Sequence, residues 1–223
     1  MTNNKITVII SLLILLFTAC SDSNKEQLKE SNNRPNIILL MNDDMGYECL
    51  SCNGSTSYST PVLDKLAREG MRFTNCYSQP LCTPSRVKIM TGKYNCNNYI
   101  DFGFLDPTQK TFGNILQDAG YKTLVAGKWQ LNGVNTKEPN CEDPNRPYHF
   151  GFDEYCLWWF TSKGPRYANP AIVVNKEPIE TTIDDYGPDV VSDYIIDFIE
   201  RNQNEPFFVY YPMILVHSPF QPT

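Results

Sequence analysis

Two rhythms alternate along the chain from Arg34 onward. Residues 36–42, NIILLMN, form a short, near-continuous apolar run, the mark of a buried strand. In TPVLDKLAREG (60–70), Val62, Leu63, Leu66 and Ala67 recur at helical spacing and Gly70 supplies the stop. MRFTNCYS (71–78) then alternates as a strand does. LCTPSRVKIMTGKY (81–94) starts a short helix whose first turn accommodates Pro84, because an N–H there has no helical acceptor to lose. TFGNILQDAGYKTLVAGKW predicts a helix over 111–119, a stop at Gly120 and a strand over 122–126. GPDVVSDYIIDFIERN (187–202) reads as an amphipathic helix leading into the strand PFFVYYPMIL (206–215). This alternation predicts an α/β fold with a mostly parallel central sheet, whose ligands gather beyond the carboxyl ends of the strands. No internal repeat interrupts it.

The first 33 residues follow neither rhythm. Lys5 precedes an apolar run over 6–16, and FTAC ends at Cys20. Residues 1–20 therefore look like a bacterial lipoprotein signal, with a lipid anchor on Cys20; an ordinary cleaved secretory peptide is the other reading, and both export the protein. Residues 21–33 form a polar tether, and 34–223 have the size and the 41% hydrophobic content of one globular domain. A net charge of −6 argues against a nucleic-acid partner and requires any anionic substrate to be held by a local cationic pocket.

Candidate chemistry collects at the strand exits and at one helix start. Cys82 and Arg86 are four residues apart and share a helix face, so a nucleophile, a positive helix end and a fixed cation converge. The first strand leads to Asp43 and Asp44, which read either as hard oxygen ligands for a divalent cation or as a solvated turn. AGKWQ places Lys128 at the second exit, where a surface role is the simpler reading, and LVHSPF places His217 at the third. His149 takes a structural reading. Six further cysteines, at 49, 52, 76, 96, 141 and 156, are free to pair in an oxidising compartment, with no connectivity favoured. The CLSC of 49–52 has no second Cys pair and no nearby His, so it is read as structural rather than as a metal site.

CTPSRVKIMTG (82–92) resembles the signature of type I sulfatases, and GYKTLVAGKW (120–129) resembles their second signature. RPNIILLMNDDMGY and EPFFVYYPMILVHSPF are similar to the remaining N-terminal landmarks of that family, so the resemblance runs from Arg34 to the end. It implies an alkaline-phosphatase-like sandwich and hydrolysis of sulfate esters. A maturation enzyme that recognises Pro84 and Arg86 would oxidise Cys82 to Cα-formylglycine. The hydrated aldehyde supplies one hydroxyl to attack sulfur and a second to expel sulfate. One Ca²⁺ would be held by Asp43, Asp44 and the Cys82 derivative. Arg86 would hold the diol oxygens, Lys128 would offset sulfuryl charge, and His217 would protonate the leaving alcohol.

Gln130 departs from the histidine that follows Gly-Lys-Trp in most of the family. Its amide can donate a hydrogen bond at the sulfate site but cannot carry a proton at neutral pH. A phosphohydrolase of the same superfamily is the alternative chemistry, although it would favour Thr or Ser over a Cys in a modification motif. The resemblance also implies metal ligands and a lysine downstream of the His217 block, so the expected domain is the N-terminal part of a catalytic domain, with an incomplete sheet, a weak Ca²⁺ site and no competent sulfatase activity by itself. An exported sulfatase implies sulfated saccharides as substrates. Trp158, Trp159 and Lys163 offer either a sugar platform or, for the indoles, core packing.

Overall fold

The computed structural model describes residues 34–134 and 136–221; the leader, the tether and Cys20 lie outside the described residues. From Pro35 onward the chain forms one unit. Its strands are β1 (Ile37–Met41), β2 (Lys122–Lys128), β3 (Glu154–Trp158), β4 (Ile172–Val174), β5 (Glu177–Pro178) and β6 (Phe207–Pro212), in the sheet order β1-β6-β2-β3-β4-β5. The first four in that order are parallel, and β4 and β5 close the edge antiparallel. β6 sits between β1 and β2, with Val209 opposite Ile38 on one side and Leu124 on the other. Its run FFVYYP is buried throughout, as a strand covered on both faces must be.

Among the described residues five α-helices accompany the sheet: α1 (Pro61–Glu69), α2 (Cys82–Thr91), α3 (Phe112–Asp118), α4 (Arg146–His149) and α5 (Gly187–Arg201). The period of two in β6 sorts its side chains between two cores. Phe208 and Tyr210 pack with Val87 and Met90 of α2 and with Phe112 at the start of α3, whose ring meets both at 5.2 Å. Phe207, Val209 and Tyr211 pack with Val191, Ile195 and Phe198 of α5, one stripe of that helix. Each such side chain contributes about 1.5–3 kcal/mol of transfer free energy, so these two cores hold α2 and α5 on opposite faces of the sheet.

The expected α/β architecture is present, with five differences of detail. The strand expected over 122–126 runs on to Lys128, the strand expected over 206–215 ends at Pro212, and the helix over 111–119 is trimmed by a capping box between Thr111 and Asn114. β3 and the β4–β5 pair have no counterpart in the hydrophobic pattern: EYCLW is short, and its alternation merges with the aromatics that follow. Residues 71–78 do not form a strand. They are exposed throughout, and a strand exists only through pairing with a partner's backbone groups, which none of the described strands makes with them. The cysteines outside the leader are all free, and Cys156, in β3, is so buried that its thiol pKa is pushed up to about 12. Among the described residues no helix is long and apolar enough to cross a membrane.

Candidate active site

The carboxyl ends of the parallel strands meet the start of α2. Asp43 and Asp44 follow β1, Lys128 closes β2 with Gln130 two residues on, Trp159 follows β3, and His217 lies on the loop after β6. Asp44, Gln130 and Trp159 all have left-handed backbone, with φ of 59°, 48° and 53°. That conformation costs a residue other than Gly about 1–2 kcal/mol, and here the neighbouring chain imposes it. Backbone bonds of 2.9 Å from Trp129 to Trp158 and from Gln130 to Trp159 extend the β2–β3 pairing past the strands and turn both exits together.

Arg86 ties α2 to the exit of β2. Its Nε donates to the carbonyl of Cys82 at 3.2 Å, one NH1 hydrogen goes to the carbonyl of Lys128 at 3.2 Å and the other to that of Trp129, and NH2 donates to Gln130 Oε1 at 2.7 Å. Four of the five guanidinium donors are thus engaged by protein, and one remains. Because Arg86 can only donate, it fixes the Gln130 amide with Oε1 inward. Cys82 Sγ lies 3.6 Å from the same oxygen, and among the described residues Gln130 Nε2 has no hydrogen-bond partner. Leu81, at the N-cap of α2, has no side-chain cap, so the first-turn N–H groups around Cys82 stay available.

Lys128 Nζ donates to Asp43 Oδ2 at 2.5 Å, and both side chains are buried. Two such charges are tolerated only as a pair, since removing one leaves the other desolvated and uncompensated. Asp43, Cys82, Arg86 and Lys128 line one crevice of about 10 Å³, the room a single water needs. Asp44 is exposed and meets His217, whose Nε2 lies 3.4 Å from Asp44 Oδ2. On the other side of the imidazole, Nδ1 is 3.1 Å from Arg166 NH1 and 2.7 Å from the carbonyl of Ser218. Nδ1 thus faces both a donor and an acceptor: the neutral ring that accepts from Arg166 carries its proton on Nε2, facing Asp44, and the one that donates to the Ser218 carbonyl carries it on Nδ1.

The residues expected from the sequence therefore fall into two adjoining groups: Cys82, Arg86, Lys128, Gln130 and Asp43 around the crevice, and Asp44 with His217 beside it. His149 pairs with Asp143 at 3.3 Å on an exposed surface and keeps its structural reading. Trp158 is fully buried and Trp159 is 9% exposed, so the indoles are core and not an open sugar platform. Arg166 was not visible as a candidate; its signal was a second cation three residues after Lys163, on the loop leaving β3. Asp43 and Asp44 are oxygen donors of the type Ca²⁺ takes, so their chemistry fits such a cation. Their number falls short of its usual 6–8 ligands, and the described residues hold no cluster of three or more His, Cys, Asp or Glu side chains able to complete it.

The sulfatase family profile matches residues 35–223. The chain belongs to the sulfatase family. It is 34% identical to an N-acetylglucosamine-6-O-sulfatase of Bacteroides thetaiotaomicron over all of its own length, which is 37% of that relative. A solved structure in complex with its substrate D-glucosamine-2-N,6-O-disulfate superposes with a TM-score of 0.71 at 34% identity, over 85% of this chain and 36% of the other. A phosphonate monoester hydrolase of Agrobacterium radiobacter shares the fold alone, with a TM-score of 0.59 at 22% identity over 83% of this chain and 42% of its own. The mostly parallel sheet is thus the alkaline-phosphatase-like sheet of the sulfatases, and the chain spans little more than a third of the curated relative it matches.

Proposed function

We propose that the mouth of the crevice at the start of α2, whose interior has room for no more than a water, is the sulfate site of a hydrolase acting on sulfated saccharides, of the kind named for the relatives. The observation that carries this reading is the convergence of Cys82, Arg86 and Lys128 with a free Gln130 amide donor on one spot. The placement accounts for each residue. Lys128 and the first-turn N–H groups of α2 neutralise charge on the sulfuryl oxygens, and Gln130 Nε2 donates a hydrogen bond there without carrying a proton. Arg86 acts mainly as a clamp that holds Cys82 against β2, with one N–H left for an oxygen at position 82. His217, when protonated on both ring nitrogens, would pass its Nε2 proton to the leaving alcohol and return to the neutral imidazole.

Cys82 is the residue a maturation enzyme would convert to formylglycine, which supplies a hydrated aldehyde as nucleophile in place of a thiol. Asp43 and Asp44 would contribute to holding one Ca²⁺, which offsets anionic charge when bound. In this reading Lys128 exchanges Asp43 for the substrate sulfate. The leader sequence supports export to the cell envelope, where lipid on Cys20 would anchor the protein.

The test is co-expression with a formylglycine-generating enzyme, peptide mass spectrometry across Cys82, and assay on glucosamine 6-O-sulfate and on the matching phosphate ester. Conversion at Cys82, with sulfate release that Cys82→Ala abolishes without unfolding the protein, is the expected result. An intact thiol, or turnover of the phosphate ester alone, overturns the reading.

A further inference from the structure

The loop between β3 and β4 carries two cations that the proposed cleavage chemistry does not use. Lys163 Nζ lies 4.9 Å from the centroid of the Trp159 indole, and Lys128 Nζ lies 5.8 Å from the centroid of the same ring. The same indole therefore lies within reach of the cation of the sulfate crevice and of a second, exposed one. Arg166 stacks on the other tryptophan, with its guanidinium carbon 4.5 Å from the Trp158 ring, and reaches His217 Nδ1 at 3.1 Å with NH1. Stacking uses the face of a guanidinium and leaves its N–H edge available. Among the described residues neither Lys163 nor Arg166 has a carboxylate within ion-pair distance, unlike Lys128, which has Asp43.

The loop is also held rigidly. Trp158 Nε1 donates to the carbonyl of Gly164 at 3.0 Å, and Tyr167 Oη donates to the carbonyl of His217 at 2.6 Å. Gly187 at the start of α5 comes so close that a Cβ there would stand 2.0 Å from the carbonyl of Arg166. Two unpaired cations on a pinned loop form a prepared anion site, because little ordering remains to oppose binding.

We propose that Lys163 and Arg166 bind a second anionic group, a sulfate or a carboxylate, carried by the saccharide whose 6-O-sulfate occupies the crevice. This rests on the sulfatase reading above. Arg166 adjoins His217, which that reading places at the leaving alcohol, so the patch lies on the side of the sugar and not of the departing sulfate. The consequence is a preference for multiply charged saccharides over singly sulfated ones, written in residues that follow β3 and not in the signature helix.

Calorimetric titration of the matured protein tests this with three ligands: glucosamine 6-O-sulfate, glucosamine carrying both N- and 6-O-sulfate, and 6-O-sulfated glucosamine linked to a uronic acid. Charge-assisted hydrogen bonds of this kind correspond to about tenfold tighter binding of one or both doubly charged ligands, and whichever tightens identifies the group. Lys163→Ala, an exposed change that leaves the core intact, and Arg166→Gln should each pull that affinity ratio toward one. A wild-type ratio of one, no binding of any ligand, or variants that weaken all ligands equally overturns the proposal. Lys128→Ala separates the two readings. If it leaves every affinity unchanged while Lys163→Ala still collapses the ratio, the sulfate crevice is misplaced and the second-anion patch stands.

Discussion

The middle of the sheet and its β1 end differ in what covers them. At β2, β3 and β6, both faces are packed, with α2 and α3 on one side and α5 on the other, and helix-period apolar positions such as Val191, Ile195 and Phe198 are buried. At β1, Ile38 and Leu40 remain exposed, and α1 buries none of its residues even though Val62, Leu63 and Leu66 sit on one helix face. The hydrophobic pattern is equally regular in both places. Pattern therefore announces which face is available for burial, and an element on the other side decides whether burial occurs.

Substitutions in the two regions sharpen that contrast. The largest effect is expected for Phe208→Ala, which removes a ring buried between Phe112 and Phe152 and should cost about 3–5 kcal/mol. Urea unfolding of the protein measures it, and a loss under 1 kcal/mol would mean the covered region is not the stable one. A smaller effect is expected at Glu154, where α5 is latched to β3. Burial raises the pKa of this carboxyl, but hydrogen bonds from Arg201 at 2.9 and 3.0 Å and from Tyr194 at 2.8 Å outweigh it and hold it below the usual range. A folded-state pKa below the unfolded one stabilises the protein at neutral pH, and the contribution, present above the ordinary carboxylate value, disappears as pH falls through the lower folded value. Glu154→Gln should accordingly lower stability by about 0.5–1 kcal/mol at pH 7. It should also flatten the acid limb of the stability profile, and an unchanged limb would detach the latch from acid unfolding. The smallest effect belongs to Leu66→Ser on α1. With Leu66 62% exposed, a change within about 0.5 kcal/mol is expected in the same denaturation experiment. A loss comparable to that at Phe208 would show that α1 is covered in solution.

The candidate site repeats the lesson. Cys82, Arg86, Lys128 and Gln130 were legible because each lies in a local motif or at a strand exit, and the structure brings all four together. The partners they adopt were not legible. Arg86 was expected to hold oxygens at position 82, yet most of its donors go to the β2 exit; Gln130 was expected only to donate, yet its Oε1 accepts from Arg86. Arg166 was missed because a lone arginine in a loop has no periodicity, and only the fold sets it against His217.

By itself, the sequence determined the alternation of strands and helices, the strand ends at which chemistry collects, the cysteine–arginine turn and the family to which they belong. These are properties of neighbouring residues, set by side-chain polarity, helical spacing and the fit of proline into a first turn. The tertiary structure alone decided that β6 lies between β1 and β2, that residues 71–78 form no strand, and that Lys128 pairs with an aspartate 85 positions earlier. Backbone pairing and charge compensation are satisfied between elements far apart along the chain. Their cost and benefit depend on a low-dielectric interior that exists only once the sheet has assembled.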